Sequence, residues 1–324
     1  MSTNPKPPLY PMVTFPGSAI IRLIIKLDQS NWLLRFVGRQ ANAPKNMQKT
    51  FVDYTPTTAD VFVASYAKSG TYWMMQIAQQ VAYRGEAEFD YIHDLVPWPE
   101  SPLPIVPAQL KDESLAARSP TGLRIIKTHH SREYTPFVPE AKYIVVVRDP
   151  KEVFVSSYFF GKEVLGTTLG IDYTLAEWFK LFPTADFLFG SWAKHTASWW
   201  SVRDRANVLL LTYQDLKRQP RQGIQQVADL MGVTLSESQL DKIAEKSSFA
   251  YMKAHEAKFS PKIPSGRNVH IQPLLVRKGK SGQSDELITR EQQAFIDRFC
   301  QAELKRLGSD FPYTTLFETV TEPA

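Results

Sequence analysis

The chain has 324 residues, with 38 lysines and arginines against 33 aspartates and glutamates, a formal charge of +5. Its 43% hydrophobic and 22% charged residues are ordinary globular values, which exclude whole-chain disorder, collagen and coiled coil. The small positive excess does not argue for a nucleic-acid partner but permits a local anion site, and one cysteine, Cys300, excludes a disulfide framework or thiolate zinc cluster and fits a reducing, cytoplasmic setting.

The first 18 residues hold Pro5, Pro7, Pro8, Pro11 and Pro16 and read as an extended arm. From Ala19 to Val37 the apolar spacing predicts an amphipathic helix, with Ile20, Ile24 and Leu27 on one face and Leu34 and Val37 continuing it. Arg22 and Lys26 interrupt its most apolar part, so neither a signal core nor stable membrane insertion is expected. Packing against the domain is the expectation for this helix, with contact with a membrane surface the alternative. Short apolar runs follow at Val61–Ser65, Leu123–Ile126, Tyr143–Val147 and Val208–Thr212. Helices are expected at Thr71–Tyr83, after Pro150, and at Gln219–Met231. Non-alternating apolar runs suit strands buried on both faces, and their alternation with helices predicts an α/β fold with a central parallel sheet flanked by helices. A single domain over residues 19–318 with a short tail at 319–324 is expected. Two proline-rich stretches, Val96–Gln109 and Ser260–Pro273, read as surface loops, either binding lids or tolerated insertions.

Four segments carry chemistry. Tyr66-Ala67-Lys68-Ser69-Gly70-Thr71-Tyr72-Trp73 joins a strand to a helix. Its glycine permits close backbone approach, and a helix start with a lysine and two hydroxyls suits a phosphate-like anion. The glycine spacing of a Walker A loop is absent. Lys127-Thr128-His129-His130 ends a strand. A histidine there can serve as general base, and adjacent strand residues point to opposite sides, so only one histidine can face the site. Arg148 follows a strand and Ser156 lies in the next helix, a fork and a hydroxyl that suit a phosphate monoester. Arg277-Lys278-Gly279-Lys280-Ser281-Gly282 is a basic glycine loop able to wrap another phosphate. Each alone also admits a structural reading: a capped helix start, a hydrogen-bonded loop histidine, an Arg148–Asp149 surface pair, a solvated charge run. No ligand spacing for a metal appears.

Taken in order, these segments resemble the soluble, cytosolic-type sulfotransferases that use 3′-phosphoadenosine 5′-phosphosulfate (PAPS), in a divergent or bacterial-like form. Tyr66–Trp73 is similar to that family's YPKSGTTW loop, with Ala67 for proline and Tyr72 for the second threonine. Lys127-Thr128-His129 resembles its catalytic segment, Arg148–Ser156 its 3′-phosphate segment, and Arg277-Lys278-Gly279 with Gly282 its R-K-G-x-x-G loop. The resemblance implies a P-loop-like nucleotide-binding architecture and PAPS as cosubstrate, without metal. It implies that Lys68, Ser69, Gly70, Thr71, Tyr72 and Trp73 hold the phosphosulfate. Arg148, Ser156, Arg277, Lys278 and Gly279 would hold the 3′-phosphate, and Trp73, Tyr213 and Phe249 the adenine. His129 would be the general base, Lys68 and Lys127 the cations at the transferring group, and Ser156 a restraint on Lys68. A small acceptor is implied, in a pocket expected to draw on Trp98, Phe154, Phe159, Phe160 and the Trp178–Trp192 stretch. The family's K-x-x-x-T-V-x-x-x-E dimer motif would fall on Asp285, Thr289, Arg290 and Ala294, where only the threonine matches, so oligomeric state is left open. The rival classes are an ATP-dependent small-molecule kinase and a non-catalytic nucleotide-binding protein.

Overall fold

The computed structural model describes residues 30–101, 109–169, 171–260 and 287–320. The arm, the basic glycine loop with Arg277, Lys278 and Gly279, nearly all of Ser260–Pro273, and the first part of the Ala19–Val37 helix lie outside the described residues.

Four strands form one parallel sheet: β1 (Asp60–Ala64), β2 (Arg124–Thr128), β3 (Lys142–Val147) and β4 (Val208–Thr212), in the order β2-β1-β3-β4. The register runs Asp60 to Ala64 against Arg124 to Thr128, and Tyr143 to Val147 against Val208 to Thr212. All of β1 and β2 is buried, which explains why their apolar runs do not alternate. Phe62, Ala64, Ile126, Tyr143 and Val145 face one core, and Val61, Val63, Ile125, Ile144 and Val146 face the other.

Helices close both cores. The second core is covered by α2 (Thr71–Ala82), α6 (Pro220–Met231) and α7 (Glu237–Lys246), which pack on one another. The first is covered by α3 (Pro150–Leu169), α4 (Leu175–Leu181), α5 (Trp192–Trp200) and α8 (Arg290–Arg306). The apolar helix near the chain start is described over Ser30–Ala41 (α1), running past Val37. Leu33 and Leu34 are buried in the first core, and Arg35 and Arg39 pair with Asp186. Among the described residues no helix is long and apolar enough to cross a membrane.

One expectation changes here. Phe154 and Trp178 are fully buried, packed on Phe182 and Phe187 respectively, so they belong to the core and not to a pocket wall. Thr289, the one match to the dimer motif, caps α8 by accepting the N–H of Gln292, and Ala294 is buried.

Candidate functional site

The strand order reverses between β1 and β3, because the chain leaves β1 for β2 on one side and then crosses to β3 on the other. Loops leaving the carboxyl ends of β1 and β3 therefore diverge around a crevice, the usual ligand position in open parallel sheets. Three of the four chemistry-bearing segments end up at this edge, following Ala64, within Lys127–His130, and following Val147.

The loop after β1 is tightly wound. Lys68 has φ +68° and Gly70 φ +93°, both left-handed, and Ser69 N–H closes the turn onto the Tyr66 carbonyl at 3.2 Å. Gly70 is the residue before α2, and no side chain caps that helix start. The free N–H groups and the positive end of the helix dipole therefore face the crevice. Ser69 and Thr71 are buried, and neither hydroxyl has a hydrogen-bond partner. Buried polar atoms are rarely left unpaired, so two orphan donors beside open helix N–H groups fit an anion seated there. A Cβ on Gly70 would lie 2.8 Å from the Tyr213 ring, so only glycine permits this packing.

Arg148 sits across the crevice. Its Nη1 donates to the Lys68 carbonyl at 3.0 Å, its Nη2 to Glu152 Oε2 at 2.6 Å, and its guanidinium lies 4.5 Å from the Tyr213 ring centroid. Its Nε is buried without a partner, which leaves one N–H of the fork available to an anion. The Arg148–Asp149 surface pair does not form: Asp149 turns inward to Lys151 at 3.2 Å. Trp73 meets Tyr213 edge-on at 5.5 Å, so those two rings and Arg148 form one group. Phe249 begins a short helix and is 45% exposed, with no ring against it among the described residues. Ser156 is partly exposed in α3, whereas Ser157 is buried and serves the core by accepting from Trp178. The Lys68 ammonium lies 4.0 Å above the ring of Phe160, one turn beyond Ser156. Lost hydration, with Arg148 adding repulsion, lowers the Lys68 pKa to about 7.

At the end of β2, His129 Nδ1 lies 2.7 Å from the Ser65 carbonyl. A carbonyl only accepts, so Nδ1 carries the hydrogen and Nε2 keeps its lone pair. Lost hydration and the neighbouring Lys127 hold the imidazole well below its usual pKa, hence neutral near pH 7. His130 points the other way, toward Thr50 Oγ1 at 2.8 Å and the Phe51 ring. Lys127 is buried with its ammonium 3.3 Å from the Trp98 ring centroid and 4.3 Å from that of Tyr72. Tyr72 O–H donates to His93 Nε2 at 3.1 Å, while His93 Nδ1–H donates to the Val96 carbonyl at 2.8 Å.

A model of the family described as "Sulfotransferase domain" matches residues 58–308. The chain belongs to the sulfotransferase family. It is 30% identical over 259 residues to rat sulfotransferase 1C2, which spans 77% of this chain and 83% of that protein. It is 29% identical to human sulfotransferase 2A1, spanning 83% of this chain and 93% of that one. Among solved structures it is similar to retinol dehydratase in complex with androsterone and the inactive cofactor PAP, with a TM-score of 0.63, 21% identity and coverage of 83% and 86% of the two chains. It is also similar to mouse sulfotransferase SULT7A1 complexed with PAP, with a TM-score of 0.59, 23% identity and coverage of 81% and 90%. The expectation of a PAPS-dependent sulfotransferase holds, and the kinase alternative does not.

The candidate site also includes residues that the sequence did not single out. The start of the Val96–Gln109 stretch is no surface insertion: Val96 and Pro97 are buried, Trp98 covers Lys127, and Glu100 accepts the His129 backbone N–H. His93, Glu100 and Glu152 contact the predicted site residues directly. The only signal for Glu152 was its i,i+4 spacing from Arg148. Residues 92–94 form a single 3₁₀ turn and Glu100 lies outside any helix or strand, so neither His93 nor Glu100 had a periodic signal.

Proposed function

We propose that this sulfotransferase moves the sulfuryl group of PAPS to a hydroxyl or amine of a small acceptor, with His129 taking the acceptor proton. The observation that supports this best is the His129 ring, whose Nδ1–H is tied to the Ser65 carbonyl so that a neutral Nε2 is left to accept. That tautomer and that charge are what a general base needs.

When bound, PAPS supplies a sulfuryl group on a phosphate leaving group. The chain's part is to position and to balance charge. Ser69, Gly70, Thr71, Tyr72 and Trp73 would receive the phosphosulfate on the open start of α2. Arg148 and Ser156, joined by Arg277, Lys278 and Gly279, would receive the 3′-phosphate, and Trp73, Tyr213 and Phe249 the adenine. Lys68, with a pKa of about 7, is poised to place a proton or a positive charge on the bridging oxygen as the phosphate departs. Its position over Phe160 keeps it within the site, and Ser156 on the same face of α3 would restrain it. Lys127, held between Trp98 and Tyr72, would face the sulfuryl oxygens.

Retinol dehydratase has been crystallised with androsterone and with retinol. For this chain we carry over the coarse class alone, a small acceptor with an apolar body, in a pocket bordered by Trp98, Phe159 and Phe160.

Replacing the base tests the reading. His129→Ala should lower kcat by about 10²–10⁴ and leave PAP affinity nearly intact, because a lost general base touches no nucleotide contact. Near-normal turnover in this variant, measured with labelled PAPS and any accepted acceptor, would overturn it.

A further inference from the structure

Arg148 is held by its main chain as well as by its side chain. Its carbonyl accepts the indole N–H of Trp192 at 3.0 Å. The Trp192 ring is buried and meets Phe311, Tyr313 and Phe317 edge-on, with centroid distances of 6.0, 5.9 and 6.1 Å. Those three rings belong to the segment that follows α8. The residues just after Arg148 are tied to the same segment by a second route. Lys151, in the first turn of α3, is only 3% exposed. Its ammonium lies 3.2 Å from Asp149 and 2.5 Å from Asp297 of α8, and it donates to the Glu318 carbonyl at 2.9 Å. Asp297, 1% exposed, also accepts the Tyr313 hydroxyl at 2.6 Å and the Val320 N–H at 2.9 Å. Both routes therefore run from residues 311–320 to the turn between β3 and α3.

We propose that residues 311–320 position the Arg148 fork for the 3′-phosphate, with Trp192 and Asp297 as the positioning residues that carry this hold to the turn. Burying one lysine with two carboxylates costs hydration that their attraction only offsets, so such a triad adds little stability over apolar residues of like volume. Its use is to fix a geometry, and the geometry it fixes is the turn that presents Arg148. That turn needs fixing. Arg148 already donates to the Lys68 carbonyl and to Glu152, so it meets an anion with the N–H groups left over, the unpartnered Nε–H among them. Hydrogen bonds weaken steeply when misaligned, so a small shift of the Arg148 backbone should show in 3′-phosphate binding. The inference rests on the role proposed above for Arg148.

The test compares PAP with adenosine 5′-phosphate, the same nucleotide without the 3′-phosphate, by calorimetry on the full chain. The ratio of the two dissociation constants reads the grip on the 3′-phosphate alone. A loss of folded stability moves both constants together and leaves the ratio unchanged, so a merely structural role for this network would not alter it. Trp192→Phe keeps an aromatic ring against the 311–320 segment and removes the N–H that holds the Arg148 carbonyl. It should lower the preference for PAP about 3- to 10-fold, the effect of one hydrogen bond, with adenosine 5′-phosphate affinity kept within about 2-fold. Asp297→Asn, which removes the charge between Lys151 and the segment, should lower the preference by a similar factor. A preference that falls less than about 3-fold in Trp192→Phe, or equal losses for the two nucleotides in either variant, would overturn the inference. Trp192→Phe leaves the charged network intact, so it decides the matter even where Asp297→Asn fails to fold. An unchanged preference in Arg148→Ala would instead overturn the role given to Arg148.

Discussion

Gly70→Ala separates the two things the glycine does. Its backbone has φ +93°, and an added Cβ would lie 2.8 Å from Tyr213 Cδ2 and 3.1 Å from Cε2. The left-handed backbone costs a residue with a Cβ about 1–2 kcal/mol. That cost falls on the folded protein whether or not nucleotide is present, so it appears as stability. At about 2–4 °C per kcal/mol for a chain of this order of size, the thermal midpoint should fall by about 2–8 °C. The clash is a separate matter. Tyr213 must turn away, at about 0.5–1.5 kcal/mol for an off-rotamer ring. The same ring backs Arg148 at 4.5 Å and Trp73 at 5.5 Å, so its displacement disturbs both the proposed 3′-phosphate fork and the adenine wall. Rebuilding that arrangement on binding should raise the PAP dissociation constant about 3- to 10-fold, read by calorimetry. A lowered midpoint with unchanged PAP affinity would refute the link from Tyr213 to the nucleotide. An unchanged midpoint would refute the strain itself.

Arg148→Ala should raise the dissociation constant for PAPS by about 10- to 100-fold, a charge-assisted contact being worth about 1.5–3 kcal/mol, and far less for the analogue lacking the 3′-phosphate. Equal losses for the two nucleotides would show that Arg148 supports the Lys68 loop rather than reading the 3′ end. The buried histidines predict acid sensitivity: burial lowers His93 and His195 from 6.5 to about 3, so the stability of their neutral folded forms is fully present above pH 6.5 and lost as pH falls toward 3. Each should cost roughly 1 kcal/mol between pH 6.5 and 5.5, and a urea midpoint that does not fall over that window would refute the assignment.

The sheet was legible because each strand is short, apolar throughout and followed by a turn that stops it. Val208–Thr212 was predicted residue for residue, and β2 differs in starting one residue later, at Arg124, and in running on to Thr128. That difference matters: Lys127 lies inside the strand and is buried by the sheet, where the sequence placed it at the strand's end. Lys68, Gly70, His129 and Arg148 were legible because their chemistry is local to one turn. Glu100, His93 and Trp98 were harder, since what joins them to Lys127 and His129 is a return of the chain across β2. Composition gave that proline-rich stretch the look of a loop, which it is, but a loop with buried Val96 and Pro97 is held in place. The acceptor wall was misjudged for a related reason. Aromatic residues near a motif look alike in sequence, and the contacts with Phe182 and Phe187 assign Phe154 and Trp178 to the core.

One physical cause runs through the site. Enclosure lowers the pKa of His129, Lys127 and Lys68 alike. For the base this is an advantage, because a neutral imidazole is the reactive form. For Lys68 and Lys127 it is a cost, because the roles proposed for them depend on charge. The same low-dielectric setting that would keep water from a sulfuryl group thus opposes the charge on those two lysines. Glu152 pairs with Arg148 at 2.6 Å on one side of the crevice, and Glu100 accepts the His129 backbone N–H on the other. A carboxylate in an anion-binding site looks misplaced only when charges are counted; each of these two is engaged by a donor of the site itself, and so holds the fork of Arg148 and the backbone of His129 in place.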